Sequence, residues 1–206
     1  MSKHPNRQLH NWLHYRSLEH ALKSHANLFR GTVCDLGCGE SPYRDFVVDC
    51  GATYVGVDWS SSLHALTADI VADLNRPTPI ASGSFDVILS LSVLEHLREP
   101  QVMLREAARI LRPGGDVILQ VPWQWAVHEA PEDYFRYSPY ALEKLLGDAG
   151  FEQVEVKPQN GFFSALVKKL HYFTARFVRG PSALQWLLRF LLLPFWFLGQ
   201  VLAPLL

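Results

Sequence analysis

Residues 32–43, Thr-Val-Cys-Asp-Leu-Gly-Cys-Gly-Glu-Ser-Pro-Tyr, restrict this chain to few folds. The short apolar run ending in Asp35 reads as a buried strand. Gly37 and Gly39 let the backbone turn tightly and lie close to a ligand, because neither carries a Cβ. Ser41 before Pro42 predicts a helix start, a hydroxyl N-cap followed by a ring already fixed at a helical φ. Gly51 is placed to close that helix. Strand, glycine turn and helix N-terminus together form a cradle of the nucleotide-binding kind. A dinucleotide fingerprint wants glycine or alanine where this chain has Pro42. Asp35 beside the turn repels a pyrophosphate and attracts a cation, which suits a ligand carrying an ammonium and a sulfonium.

The segments that follow alternate. Thr53–Asp58 predicts a second strand whose terminal acid lies 19 residues after Gly39, where a carboxylate can accept both hydroxyls of a ribose. Asp69–Leu74 predicts a third, shorter strand. Phe85-Asp86 introduces Val87–Leu91, a continuous apolar run suited to a central parallel strand. Pro100 opens a helix with Val102, Met103, Ala107, Ile110 and Leu111 at helical spacing, and Arg112-Pro-Gly-Gly115 stops it before a fifth strand, Asp116–Val121. Ser138-Pro139 starts another helix that runs to about Gly150, and Phe151–Val156 alternates like a strand with one wet face. Nothing after Pro158 reads as a further strand. Such alternation implies a doubly wound sheet, with ligands outside the carboxyl ends of its strands.

These motifs resemble the class I S-adenosylmethionine-dependent methyltransferases. The likeness rests on Asp35-x-Gly37-x-Gly39, the Phe85-Asp86 strand, Glu95-His96 and Arg112-Pro-Gly-Gly115, in the family's order, and covers roughly residues 30–158. It implies a doubly wound, Rossmann-like, mostly parallel α/β sheet of six or seven strands, helices on both faces and S-adenosylmethionine as cofactor. It also implies that Asp73 meets the adenine amino group and Leu74 packs on the ring, with Asp69 as the alternative acid. Asp35, Gly37, Cys38, Gly39, Tyr43, Asp58, Trp59, Ser90 and Leu91 complete the expected cofactor surroundings.

The acceptor side is expected in Trp123–Tyr137, which mixes aromatic residues with titratable groups as small-molecule pockets do; Trp123, Phe135 and Tyr137 read equally well as core. His128 is the expected base for an acceptor that must lose a proton, since its unperturbed pKa of about 6.5 lies near working pH. Glu129 is placed to orient or polarise it, Arg136 to hold an anionic substrate group, and His96 is the second candidate base. His10 and His14 share a helix face, but no third ligand accompanies them, and no metal site is expected.

Charge divides the chain. Residues 1–155 hold 13 Lys and Arg against 20 Asp and Glu, whereas residues 156–206 hold 6 basic residues and no acid. The acidic body argues against nucleic-acid modification. Cys34, Cys38 and Cys50 are odd in number and lack a C-x-x-C spacing, so neither a disulfide framework nor a zinc knuckle is expected, and a reducing cytosol is the simplest setting. The N-terminus lacks the apolar run of a signal peptide.

The organisation expected is an N-terminal helical segment, residues 1–30, packed on or near the cofactor cleft; a cofactor-binding domain, residues 31–160; and a basic, hydrophobic helical tail, residues 161–206. Phe190–Leu206 is at the lower edge of bilayer-spanning length, and Lys168, Lys169 and Arg176 would attract anionic headgroups. A membrane-surface anchor, docking against protein and a true span all fit the tail. The expected activity is methylation, with oxygen preferred, of a small or lipid-linked acceptor by a cytoplasmic enzyme, peripheral at the inner membrane face if the tail anchors. A non-catalytic membrane or partner adaptor and a nicotinamide oxidoreductase are the alternatives. The sequence is silent on oligomeric state.

Overall fold

The computed structural model describes residues 4, 6–61 and 67–205. It divides into two compact units, one spanning His25–Lys157, the other taking residues up to Ser24 together with Pro158 onward. Residues 1–3 and 5 of the expected N-terminal segment, and Leu206 of the apolar tail, lie outside the described residues.

The first unit is built on five parallel strands, β1 (Thr32–Leu36), β2 (Thr53–Asp58), β3 (Ile70–Val71), β4 (Phe85–Leu91) and β5 (Leu111–Gln120), in the order β3-β2-β1-β4-β5. The order reverses between β1 and β4, the place where open α/β sheets bind their ligands beyond the strand ends. β1 and β4 are central and apolar, and Val33, Cys34, Val87, Ile88 and Leu89 have no exposed surface. The six or seven strands expected are therefore five, because Phe151–Val156 forms no strand. Its alternation has another use: Phe151 and Val154 pack against the core cluster from outside the sheet. β3 shrinks to two residues; just before it the Asp69 carboxylate accepts the Gly56 backbone N–H at 2.8 Å and an Arg44 N–H at 2.8 Å. The Arg112–Gly115 turn lies inside β5 as a register jump, with Phe85 opposite Leu111 and Val87 opposite Asp116.

The helix after the glycine turn starts later than Ser41-Pro42 implied. α1 (Trp12–Ser24) precedes the sheet, and α2 (Arg44–Asp49) has Tyr43 as its N-cap. Ser41 instead adopts φ +52°, and its hydroxyl lies 3.0 Å from that of Thr67. Gly51 closes α2 at φ +87°. α3 (Pro100–Ile110) buries Met103, Leu104, Ala107 and Ile110. α4 (Pro139–Asp148) has the predicted cap, with Ser138 Oγ accepting the Ala141 N–H at 3.2 Å.

The second unit combines α1 with α5 (Phe162–Ala175) and α6 (Ser182–Leu202). Within this unit α1 is tied to α6 and α5 by buried polar contacts. Gln200, almost fully buried, accepts the Leu13 N–H at 2.8 Å and donates to the Leu9 carbonyl at 2.8 Å, and Asn11 reaches the Tyr172 hydroxyl. Lys168, expected to face lipid, is buried, and desolvation lowers its pKa to about 8. His10 lies against the Tyr172 and Trp196 rings, and His14 against Tyr15. An open cavity of about 440 Å³ is lined by residues of this unit, including His10, Arg189 and Trp196. α6 is long and apolar enough to cross a membrane by length and composition, with mean hydropathy 1.6 over Ser182–Leu205.

Candidate active site

The glycine turn leaves β1 at the reversal point of the sheet. Gly37 has φ +81°, and a Cβ there would lie 2.3 Å from Val93 Cγ2, so only glycine lets the turn close onto the exit of β4. Its N–H and that of Cys38 both reach the Val57 carbonyl, at 2.8 and 3.1 Å. Gly39 also has positive φ, and its N–H donates to Asp58 Oδ2 at 2.6 Å, while the Trp59 N–H donates to Oδ1 at 2.7 Å. Asp58 is thereby held at the end of β2 with one lone pair on each oxygen still available.

The other expected cofactor residues separate by environment. Asp35 does not present an anionic rim. It is buried, the Tyr54 hydroxyl donates to it at 2.7 Å, and desolvation raises its pKa to about 7. Ser90 has no exposed surface, and its hydroxyl donates to the Leu36 carbonyl at 2.8 Å, tying the ends of β1 and β4. Cys38 and Tyr43 are buried beneath the turn, Leu91 is half-buried, and Trp59 is exposed. Asp73 is half-buried, with Oδ1 accepting from Asn75 and Oδ2 3.5 Å from Arg76, and Leu74 beside it is buried. The alternative acid, Asp69, is committed to Gly56 and Arg44.

At the exit of β4 a single 3₁₀ turn, Leu94–His96, carries Glu95 and His96. The Trp123–Tyr137 loop is pinned over it. The Tyr134 and Phe135 N–H groups donate to the Glu95 carbonyl at 2.9 and 3.2 Å, and the Tyr137 hydroxyl donates to the Leu94 carbonyl at 2.9 Å. Tyr137 is core, whereas Trp123 and Phe135 are exposed. Docking brings His128 beside His96, with ring centroids 4.8 Å apart in an edge-on arrangement.

The sequence singled out Glu129 as the group to orient or polarise His128; the structure also brings Asp133 against it. The Asp133 carboxylate lies 3.2 Å from His128 Nδ1 and accepts the His128 backbone N–H at 2.9 Å. Glu129, at φ +51°, brings Oε2 to 4.0 Å from His96 Nε2. Arg136, expected to hold a substrate anion, is spent internally. It donates to both Asp133 oxygens at 2.6 and 2.8 Å and to the Phe135, Trp125 and Ala126 carbonyls. The Arg136 guanidinium holds the Asp133 carboxyl far below the usual range.

Glu95 was noted in sequence only as a partner of His96 in a motif. It is fully buried and raised by desolvation to a pKa of about 8, with its own backbone N–H and Arg136 opposing the rise. Among the described residues, no other residue hydrogen-bonds either carboxyl oxygen. No local sequence signal marks it, since its isolation depends on a loop that docks from more than thirty residues away.

A methyltransferase-domain family model matches residues 34–119. The ubiquinone biosynthesis O-methyltransferase of Escherichia coli O157:H7 is 32% identical over 111 residues, covering 48% of this chain and 46% of that protein. The same-named protein of Escherichia coli K12 / DH10B is 34% identical over 101 residues, covering 44% and 42%. The chain thus matches about half the length of these curated relatives. Among solved structures, a methyltransferase in complex with the Haloferax volcanii Trm112 methyltransferase activator is 26% identical, with TM-score 0.55, covering 68% of this chain and 70% of that one. An S-adenosylmethionine-dependent methyltransferase from Mesorhizobium loti shares the fold at 19% identity and TM-score 0.56, covering 70% and 85%. Residues 34–119 thus match a methyltransferase domain, and the fold sets their glycine turn and Asp58 at the reversal point of a parallel sheet.

Proposed function

We propose that the protein methylates a hydroxyl oxygen of a small or lipid-linked acceptor. The observation that carries this reading is the junction of two pieces of machinery at the ends of adjacent strands. The glycine turn with Asp58 follows β1 and β2, and the Glu95–His96–His128 cluster follows β4. Gly37 abuts Val93, so the two adjoin along one crevice. Asp58 would hold the ribose hydroxyls of S-adenosylmethionine, Asp73 the adenine amino group, and Leu74 the ring. The donor set fits that group: two acids with free acceptor capacity, and a turn whose glycines let the backbone approach closely. When bound, S-adenosylmethionine supplies a methyl group for in-line displacement at carbon, where alignment provides much of the acceleration.

The chain's part at the acceptor end is to take a proton. His96 Nδ1 lies 2.5 Å from the Glu132 carbonyl, which only accepts, so the neutral ring carries its proton there and turns a lone pair on Nε2 inward. His128 Nε2 faces the same interior, backed by Asp133. His128 is the proposed base and His96 the second. Glu129 lies at the solvent side of His96, and Arg136 acts by fixing Asp133. Oxygen as acceptor atom is supported by the O-methyltransferase names of the curated relatives.

The second unit favours a membrane seat. Trp186, Leu187, Phe190, Leu191, Phe197 and Leu198 on α6 are all exposed, a larger apolar surface than a soluble monomer leaves uncovered. Lys169, Arg176, Arg179 and Arg189 are exposed as well and would favour anionic lipid. The reading is a cytoplasmic enzyme, peripheral at the inner membrane face, that meets its acceptor at the bilayer. Methyl-labelled donor incubated with the protein and a lipid extract should yield a labelled product with an ether or ester link. Absence of donor binding by calorimetry would defeat the reading. For the seat, the full chain should float with anionic liposomes and the Trp186→Glu/Phe190→Glu variant should not; equal flotation would remove it.

A further inference from the structure

Three donor atoms at the carboxyl end of β4 converge on one point. His96 Nε2 lies 3.8 Å and His128 Nε2 4.0 Å from the same atom, Glu95 Oε1. The ligand atoms of the three residues all lie within 4.8 Å of one another. Glu95 is fully buried, and among the described residues no other residue hydrogen-bonds its oxygens. A buried carboxyl left in that state stays ionised only at a cost of several kcal/mol unless a cation accompanies it, and otherwise holds a proton.

Each imidazole also has an acceptor behind it, hydrogen-bonded in His96 and in His128 only approached, since Nδ1 of His128 makes no hydrogen bond among the described residues. His96 Nδ1 is 2.5 Å from the Glu132 carbonyl, and His128 Nδ1 is 3.2 Å from the Asp133 carboxylate, which Arg136 grips with two bonds. Imidazoles backed by a carbonyl and a carboxylate, with their far nitrogens aimed at a common acid, are the outer-shell arrangement of histidine-ligated metals. Glu129 Oε2, 4.0 Å from His96 Nε2, offers a further carboxylate on the more exposed side.

We propose that Glu95, His96 and His128 bind one divalent transition-metal cation of the zinc class, leaving its fourth position open. Two imidazoles and a carboxylate are a donor set zinc uses in open, catalytic sites, and the absence of sulfur from it disfavours copper(I). Bonds of about 2.1 Å in a tetrahedron place ligand atoms about 3.4 Å apart. The observed separations, up to 4.8 Å, therefore need to close by about 0.4 to 1.4 Å, which calls for rotation of the side chains about staggered torsions. The inference rests on the reading of this end as the acceptor site. With the cation in place the imidazoles are ligands rather than bases. An acceptor hydroxyl on the open position would give its proton to Glu129 or water, and its oxygen would bond the methyl carbon as the carbon–sulfur bond breaks.

The test uses the full chain, stripped with chelator and titrated with cobalt(II) as a spectroscopic stand-in. One equivalent should produce visible d–d absorption, and one equivalent of zinc(II) should abolish it. His96→Ala, His128→Gln and Glu95→Gln should each weaken binding on the order of a hundredfold, and Asp133→Asn about tenfold. Circular dichroism identifies any variant that fails to fold, and His128→Gln, on the loop, provides the reading least coupled to the core. The proposal is overturned by failure to bind one equivalent, by binding that survives both histidine changes, or by a thiolate-to-cobalt charge-transfer band assigning the metal to cysteine. Calorimetry of S-adenosylmethionine on the same metal-free protein separates the two readings. Intact donor binding without cobalt binding removes the metal alone, and lost donor binding removes the methyltransferase assignment of the site.

Discussion

Glu95, at the exit of β4, and Glu106, on α3 near the entry of the same strand, are both buried glutamates, and the protein treats them oppositely. Glu106, on α3, accepts the Thr78 N–H at 2.8 Å, the Thr78 hydroxyl at 3.0 Å and two Arg109 N–H groups at 2.8 and 2.7 Å. The Arg109 guanidinium, chiefly, depresses its pKa to about 2. Glu95 has no such partner, and desolvation raises its pKa to about 8. Asp35 falls between, with one hydroxyl donor and a pKa raised by burial to about 7. An acid with every lone pair matched serves the fold, whereas one left bare beside two histidines is a reactive resource.

The largest effect expected separates chemistry from stability on the bare side. His128→Ala should lower kcat/KM by on the order of a hundredfold or more, while the thermal midpoint shifts little, because His128 lies on a partly exposed loop. A loss under about threefold across pH 6 to 9 would exclude the proton-accepting role.

Glu106→Gln should do the reverse. Loss of the charged pairing and the poorer match to Thr78 and Arg109 should cost about 1–3 kcal/mol at pH 7, with kcat/KM of the folded fraction unchanged. Because the folded pKa is depressed, the wild-type advantage is full above the ordinary value of 4.5 and disappears as pH falls toward about 2. Denaturant melts at pH 7, 4 and 2.5 check both the size and the window.

Glu95→Gln should carry the opposite sign in chelator-treated protein. A raised folded pKa means wild-type stability falls as pH rises from 4.5 through about 8. The variant should equal wild type at pH 4 and exceed it by on the order of 1–2 kcal/mol at pH 9. If the two melts coincide at pH 9, Glu95 is partnered in solution and the contrast with Glu106 collapses. The smallest change is Tyr54→Phe, which removes the hydroxyl from Asp35. It should cost about 1 kcal/mol at pH 8 and less at pH 5, where Asp35 is protonated; a pH-independent cost would show that the hydroxyl packs rather than charges the site.

Much of the frame is legible in sequence for local reasons. The Val33–Leu36 and Val87–Leu91 runs are central parallel strands because strands covered on both faces must be apolar throughout. Ser138-Pro139 starts α4 because cap and ring act within one turn. The same cue misled at Ser41-Pro42, where the neighbouring Thr67 and the φ of +52° hold Ser41 in a turn. Phe151–Val156 misled likewise, since a strand needs a neighbour to pair with as well as a pattern.

The chain's own order of residues therefore determined the parallel core, the glycine turn and the identity of the groups near the crevice, because those depend on burial and on backbone freedom within a few positions. Tertiary structure alone decided which acid each histidine faces, that Arg136 serves Asp133, that α1 joins α5 and α6, and that Glu95 is left bare. Those outcomes turn on distances between segments far apart in sequence, and a hydrogen bond or a desolvated charge changes its worth over an ångström that no spacing along the chain records.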